Sequence, residues 1–367
     1  MTTTLQQLII ERIQREGPIS FADYMRMALY EPEYGYYVTG PARMGWEGDY
    51  YTSTDVSSLF AHCMGRQLVQ MWELLERPDP FVVLEQGSGR GNLAQQIVTW
   101  AKQTSPALHI ALEYRTEDIH MGRDAIQADE EKQVSVLLSN ELVDAFPVHV
   151  VEKRDGHLYE VFVDIHHGRL HEVLDEPSSM EVATYLDGYS IPWSSYDDGW
   201  RAEINLDALR WMQRSAQLLG GAPIKRKQHG FLLAIDYGDK ARALYTHERQ
   251  RGTLACYFQH QLTERPLVRP GEQDITAHVN FSALIDEGRR QGLRLHAFTT
   301  QKAWLEGMGL TEEVEQLRLT DFAAMDTERA TDKGQTALLQ WYTLRQRVAA
   351  LTNLMGMGNF KVLVVKK

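Results

Sequence analysis

A strand-like run, Val83-Leu84, leads into Glu85-Gln86-Gly87-Ser88-Gly89-Arg90-Gly91-Asn92-Leu93, after which apolar residues return at helical spacing. Glycines at every second position between a strand and a helix let backbone amides approach a ligand closely. The spacing then selects among ligands. A Walker loop needs GxxxxGK[ST], and no lysine follows these glycines. A dinucleotide fingerprint needs GxGxxG, and this chain has GxGxG, which disfavours a nicotinamide oxidoreductase. Glu113, 22 residues beyond Gly91, closes the next apolar run, where a carboxylate accepts hydrogen bonds from ribose hydroxyls. Glu85 places negative charge beside the turn, which repels phosphate and favours a cation. A cationic nucleoside without pyrophosphate fits both conditions. S-adenosyl-L-methionine is therefore the expected cofactor, with Glu85, Gly87, Ser88, Gly89, Gly91 and Glu113 as its predicted contacts.

A second group of polar residues follows another apolar run. Val134–Leu138 is succeeded by Ser139-Asn140-Glu141-Leu142-Val143-Asp144, and α/β sheets hold ligands just beyond such strand ends. Asn140, Glu141 and Asp144 are the candidate catalytic residues. Asn140 and Asp144 equally suit the start of a helix, where their side chains satisfy backbone amides. Asp236-Tyr237-Gly238 ends the apolar run Phe231–Ile235 and reads first as a turn. His260 and His278 have no His or Cys partner at metal spacing, so no metal site is expected.

The elements that must position these groups alternate. Short apolar runs at 81–84, 109–112 and 134–138 are separated by helical patterns, the grammar of a parallel sheet. Helical spacing also marks residues 5–13, 60–75, 206–219, 281–290 and 338–351. Alternating residues from Val151 to Ile165 suit antiparallel strands, and Phe360–Val365 closes the chain as a strand. The expected fold is a doubly wound Rossmann-like sheet with an N-terminal helical region and an inserted α+β segment. The expected boundaries are 1–75 for the helical region, 76–150 and 226–367 for the sheet domain, and 151–225 for an inserted substrate or partner segment.

Composition sets outer limits. The 367 residues, 43% hydrophobic and 24% charged, carry a net charge of −12, which suits a globular protein and argues against a general nucleic-acid binder. Two cysteines form no disulfide framework and no apolar run is long enough to span a membrane, so a reducing, cytoplasmic location is expected. No patch in the sequence assigns an oligomeric state.

Longer motifs then become diagnostic. Gly17-Pro18-Ile19-Ser20-Phe21-Ala22-Asp23-Tyr24-Met25, Gly48-Asp49-Tyr50-Tyr51-Thr52-Ser53, Glu85 to Gly91 and Ser139 to Pro147 resemble the MidA family. Ile235-Asp236-Tyr237-Gly238, Asp274-Ile275-Thr276-Ala277-His278-Val279 and Asn359-Phe360-Lys361-Val362-Leu363 continue the match over nearly the whole chain. The family comprises S-adenosylmethionine-dependent methyltransferases whose mitochondrial members methylate an arginine of a respiratory complex I subunit. The resemblance implies a methyltransferase acting on a protein with an exposed arginine, and it sets Thr52 and Ser53 near the cofactor. Glu141 would then orient the cationic acceptor, with Asn140 supplying amide contacts and Asp144 on the same face. A non-catalytic assembly factor retaining the fold is the alternative. Ser88 stands where the family usually has Pro, and no strand is evident between Glu113 and Val134, which leaves Asp124 and Asp129 as candidates for the adenine side.

Overall fold

A computed structural model describes residues 4–39, 53–118, 133–219, 229–259 and 261–367. The chain opens with helices α1 (Thr4–Glu16) and α2 (Phe21–Tyr30). Ser20 caps α2, its hydroxyl accepting from the Asp23 amide. Helix α3 (Ser58–Leu74), strand β1 (Phe81–Gln86), helix α4 (Asn92–Thr104) and strands β2 (Leu112–Glu117) and β3 (Val136–Asn140) follow. Next come β4 (His149–Arg154), β5 (His157–His166), β6 (Arg169–Asp175) and β7 (Arg201–Ile204). Helix α5 (Leu206–Leu218) and strand β8 (Phe231–Asp236) return to the α/β rhythm. The remainder holds β9 (Ala255–Phe258), β10 (Asp274–Thr276), α6 (Phe281–Arg290), β11 (Arg294–Thr300), α7 (Asp332–Thr352) and β12 (Lys361–Lys366).

Six strands make the central sheet in the order β11-β12-β8-β3-β1-β2. β2, β1, β3 and β8 are parallel, while β12 runs antiparallel to both β8 and β11. β1, β3 and β8 are buried along their whole length, as parallel strands covered on both faces must be. α3 and α4 cover one face through Phe60, Met64, Leu68, Ile97 and Trp100. α5 and α6 cover the other through Trp211, Met212, Phe281 and Leu284. The expected Rossmann-like architecture is present. Successive strands leave β1 in opposite directions, so the strand order reverses between β1 and β3, and such sheets hold their ligands beyond the carboxyl ends of the strands at that point.

The second sheet has β5 between β4 and β6, with β7 beside β4 and Ile19–Ser20 added to the free edge of β5. α1 and α2 lie on it, burying Leu5, Ile9, Tyr24 and Met25 against Val150, Val161 and Val163. The expected regions therefore divide differently. Residues 1–75 do not pack as one unit, because the apolar stripe of α3 fits the central sheet while those of α1 and α2 fit the second. Likewise α5, expected within the 151–225 insertion, buries Trp211 and Met212 on the central sheet.

One strand is displaced from its expected position. His109–Ala111 belongs to a helix, Pro106–Ala111, begun by a proline at its first turn, and β2 starts only at Leu112. Among the described residues β2 pairs with β1 alone. Its half-exposed sequence, Leu-Glu-Tyr-Arg-Thr-Glu, carries no apolar run to announce it. Asp124 and Asp129 lie outside the described residues.

Candidate functional site

The glycine turn stands at the end of β1 with Gly87, Gly89 and Gly91 at φ of 73°, 55° and 72°, the left-handed region that side chains disfavour. A Cβ at Gly87 would come within 2.8 Å of the Leu142 side chain, so this glycine lets the turn pack on the segment after β3. A Cβ at Gly91 would meet open space at the start of α4, which has no side-chain cap. The turn is tied to β2: the Gly87 amide donates to the Glu117 carbonyl at 2.9 Å, and the Gly89 amide to the Asp118 carboxylate.

Register places Glu113 away from the strand end at which it was expected. Glu113 pairs with Val82 at the start of β1, whereas Glu117 pairs with Gln86 at its end. At about 3.3 Å per residue, Glu113 is roughly 13 Å from the strand end. Its carboxylate is held by Arg115 at 2.5 Å. Glu117 instead stands beside the glycine turn, accepting from Gln86 Nε2 at 3.1 Å, while Gln86 Oε1 accepts from the Trp211 indole at 2.8 Å. Glu85 is buried under the turn, its Oε2 accepting the Tyr114 hydroxyl at 3.0 Å. Burial pushes its carboxyl up to about 7; the Tyr114 bond opposes the shift and Asp118 adds to it.

The end of β3 gathers the expected acceptor residues. Glu141 sits at φ 52°, an unusual backbone state for a side-chain-bearing residue and one that clusters at functional sites. Its amide donates to the Ile235 carbonyl at 2.8 Å. Its Oε1 accepts the Ser53 amide at 2.9 Å and Asn140 Nδ2 at 3.1 Å. Burial raises Glu141 to about 7 despite those bonds. The Asn140 Oδ1 is buried without a hydrogen-bond partner among the described residues. Ser53 thus lies against Glu141, and its hydroxyl donates to Gln301 at 3.2 Å. Thr52 lies outside the described residues.

Asp144 is buried three residues beyond Glu141, in the short turn Val143–Ala145, which has no side-chain cap at its start. Asp236, at the end of β8, holds the amides there instead. Its Oδ2 accepts the amides of Leu142, Val143 and Asp144 at 3.3, 2.9 and 3.3 Å, and its Oδ1 accepts the Tyr237 amide at 2.9 Å. Burial and the neighbouring Asp144 and Glu141 raise Asp236 above the usual carboxylate range. The Tyr237 hydroxyl donates to Asp144 Oδ2 in a short bond. The residues first read as a turn therefore build the site.

Aromatic rings from outside the central sheet close it. Tyr30, at the end of α2, donates to the Ala145 carbonyl at 2.8 Å and stacks on Tyr37, with centroids 5.5 Å apart. Tyr37 donates to Asp274 Oδ1 at 2.7 Å. Burial raises the Tyr30 hydroxyl, and Asp144, Asp274 and Asp118 add to the shift, while its bond to Ala145 brings α2 to the segment after β3. His278 packs edge-on to Tyr237 at 5.4 Å; burial and Arg249 hold it down at about 4, hence neutral. His260 lies outside the described residues. Sequence reasoning passes over Glu117, weighs Asp236 as facing the crevice but first as a turn, and weighs Tyr30 equally as a site wall and as helix packing. The signal for Asp236 was present, since it ends the most apolar strand as Glu85 nearly ends β1.

Glu141, Asp144 and Asp236 thus act on one another at the ends of β3 and β8, Glu85 lies near the end of the adjacent β1, and no cation is among the groups that shift these four carboxylates. Such a site suits cationic ligands. A family model of S-adenosyl-L-methionine-dependent methyltransferases matches residues 63–299. The mitochondrial protein arginine methyltransferase NDUFAF7 homolog of Drosophila melanogaster is 28% identical over 313 residues, which are 76% of this chain and 68% of that protein. The human mitochondrial protein arginine methyltransferase NDUFAF7 is 26% identical over 327 residues, 77% of this chain and 68% of its own. A superfamily protein from Burkholderia thailandensis, solved with S-adenosyl-homocysteine bound, superposes with a TM-score of 0.80 at 25% identity, covering 99% of this chain and 92% of that one.

These relatives correct one expectation. The curated relatives are mitochondrial proteins, which overturns the cytoplasmic assignment. Few cysteines and the lack, among the described residues, of a helix long and apolar enough to cross a membrane fit an organelle interior as well as the cytoplasm. Composition could not separate the two.

Proposed function

This chain belongs to the S-adenosyl-L-methionine-dependent methyltransferases, and from that premise we propose that it methylates an arginine of a protein substrate. The observation that carries the proposal is the set of carboxylates at the β3 and β8 strand ends that have no cationic partner among the described residues. The names of the curated relatives support it. A guanidinium keeps its charge at neutral pH, with a pKa above about 12, and offers a planar fork of N–H donors. It matches carboxylates that have acceptor capacity to spare and lack a positive neighbour.

The residues present fit the cofactor. The glycine turn leaves room at Gly91, Glu85 and Glu117 supply carboxylates at the strand ends, and the start of α4 faces the same turn. We assign Glu85, Gly87, Ser88, Gly89, Gly91 and Glu117 to the cofactor. Its contribution when bound is a methyl group made electrophilic by a sulfonium. The chain's task is to hold the acceptor nitrogen in line with that carbon and to exclude water, since methyl transfer depends chiefly on near-attack geometry. Glu141, fixed by Ser53 and Asn140, grips the guanidinium, and Asn140 Oδ1 accepts a further N–H. Tyr30 and Tyr37 supply flat apolar surface against which the planar cation lies. The second sheet with α1 and α2 forms the platform for the rest of the protein substrate.

Incubation of the purified enzyme with methyl-labelled cofactor and a proteome lacking the native activity tests the assignment. Mass spectrometry is expected to find label on arginine side chains. Label confined to lysine, carboxyl groups or small molecules would overturn the arginine assignment while leaving the family intact.

A further inference from the structure

We propose that Asp144 Oδ1 takes the proton shed by the acceptor nitrogen, and that Tyr237 is the positioning residue that keeps this oxygen turned into the crevice. The inference rests on the arginine assignment above. Its basis is the different fate of the two Asp144 oxygens. Oδ2 is engaged by the Tyr237 hydroxyl, whereas Oδ1 is buried with no hydrogen-bond partner among the described residues. A buried acceptor left without a donor is costly, and such atoms recur where a ligand supplies the missing donor.

The usual structural explanations are already taken by other groups. Asp236 holds the amides of residues 142–144, so Asp144 is not needed as a cap. The Tyr30 hydroxyl is spent on the Ala145 carbonyl. Glu141 Oε1 is occupied by Ser53 and Asn140, which suits it to holding the cation rather than accepting its proton. As the nitrogen–carbon bond forms, the carbon–sulfur bond breaks with its electron pair left on sulfur. One N–H bond of the guanidinium breaks and its proton passes to Oδ1. The methylated guanidinium keeps its charge, the sulfonium loses one positive charge and Asp144 one negative, so total charge is conserved.

Among the described residues, the groups acting around Asp144 are acidic or neutral: Glu141 on its own segment, Asp236 and Tyr237 from the end of β8, Tyr30 from α2, Tyr257 from β9, and neutral His278 behind Tyr237. Burial places Asp144 at about 6; the Tyr237 hydroxyl is the largest influence pulling the other way by favouring the ionised form, followed by the Ala145 and Asp144 amides. Removing that hydroxyl therefore raises Asp144 further and moves the acidic limb of turnover to higher pH. A side chain that merely filled space would leave the limb where it is.

The test compares wild type, Tyr237→Phe and Asp144→Asn on an arginine peptide that mass spectrometry shows the wild type to methylate. Two readouts are taken: the pH profile of kcat, and a carboxyl-carbon NMR titration of Asp-labelled protein without cofactor. Tyr237→Phe is expected to shift both the kinetic limb and the Asp144 titration upward by about one pH unit, with KM for the peptide little changed. Asp144→Asn is expected to lose about 10²–10⁴-fold in kcat with cofactor affinity retained. An unshifted limb and titration in Tyr237→Phe, or near-normal turnover in Asp144→Asn, overturns the proposal alone. Failure of the wild type to methylate arginine overturns the arginine assignment and this proposal with it.

Discussion

Two regions of the molecule hold buried carboxylates that differ in company rather than in depth. In the second sheet, Glu160 lies within 2.7 Å of His149 Nδ1 and accepts the Ser178 amide at 2.6 Å. Burial alone would push it up, yet these bonds hold it below the usual carboxylate range. Glu152 is paired with Arg154 and Arg201 at 2.7 and 2.8 Å. Glu203 is instructive because burial still raises it, although both of its oxygens are satisfied by the Thr253 and Leu254 amides and the Thr253 hydroxyl. A raised carboxyl is therefore no mark of function in itself. In the crevice, Asp144 keeps an oxygen without a donor among the described residues, and the opposing cation is left for ligands to bring. Accounting for partners separates a fastening from a site.

That contrast breaks most readily at Glu141. Glu141→Gln is expected to cost about 10²–10⁴-fold in kcat with the fold intact and thermal stability equal or higher, since it relieves repulsion with Asp144. Loss of fold with loss of activity would make Glu141 structural after all. Glu160→Ala should do the reverse, lowering unfolding free energy by about 3 kcal/mol in urea titrations while kcat holds. Next in size is the cofactor side. Glu117→Gln is expected to weaken S-adenosyl-L-methionine binding by roughly 10-fold or more in calorimetry, and Glu113→Gln to leave it unchanged. Equal effects would restore Glu113 to the site. The smallest effect is on stability against pH without ligand. Glu85 and Glu141 are raised to about 7, so protonation favours the folded state. Their contribution is complete below the ordinary carboxylate pKa and fades as pH rises through about 7, whereas that of Glu160 is present above the ordinary value and lost on acidification. The urea midpoint of a Glu85→Gln/Glu141→Gln double variant should accordingly vary less between pH 5 and 8 than that of wild type.

The sheet and the glycine turn were legible because both are written locally. Val83 to Leu93 contains a strand, a turn and a helix start in one stretch, and burial on both faces made β1, β3 and β8 continuous apolar runs. Glu113 was misplaced for the opposite reason. β2 is half exposed and polar, so the nearest apolar run, part of the helix Pro106–Ala111, drew the strand and its carboxylate off by four residues, from Glu117 to Glu113. The partition of α1, α2 and α3 between two sheets was equally hidden, because amphipathic helices declare that they have a partner and not which one. Asp236 and Tyr237 show a third limit. Their sequence is that of a turn, and their importance comes from Asp144, whose distance along the chain no local pattern records.

The antiparallel strand β12 has a consequence for biosynthesis. It comes after the other five strands of its sheet along the chain yet lies inside that sheet, between β8 and β11. While the ribosome still holds Lys361–Lys366, both neighbours present open edges, one of them the apolar run Phe231–Ile235. The crevice is also incomplete, since Asp236 ends the strand that β12 must pin through its pairing with Lys361. A nascent chain therefore passes through a stage in which edges prone to aggregation are exposed and no ligand can rescue them. Chains terminated before Phe360 are expected to aggregate even with saturating cofactor, and sedimentation of such truncations checks it. For this fold, the time of greatest hazard is the interval before β12 emerges.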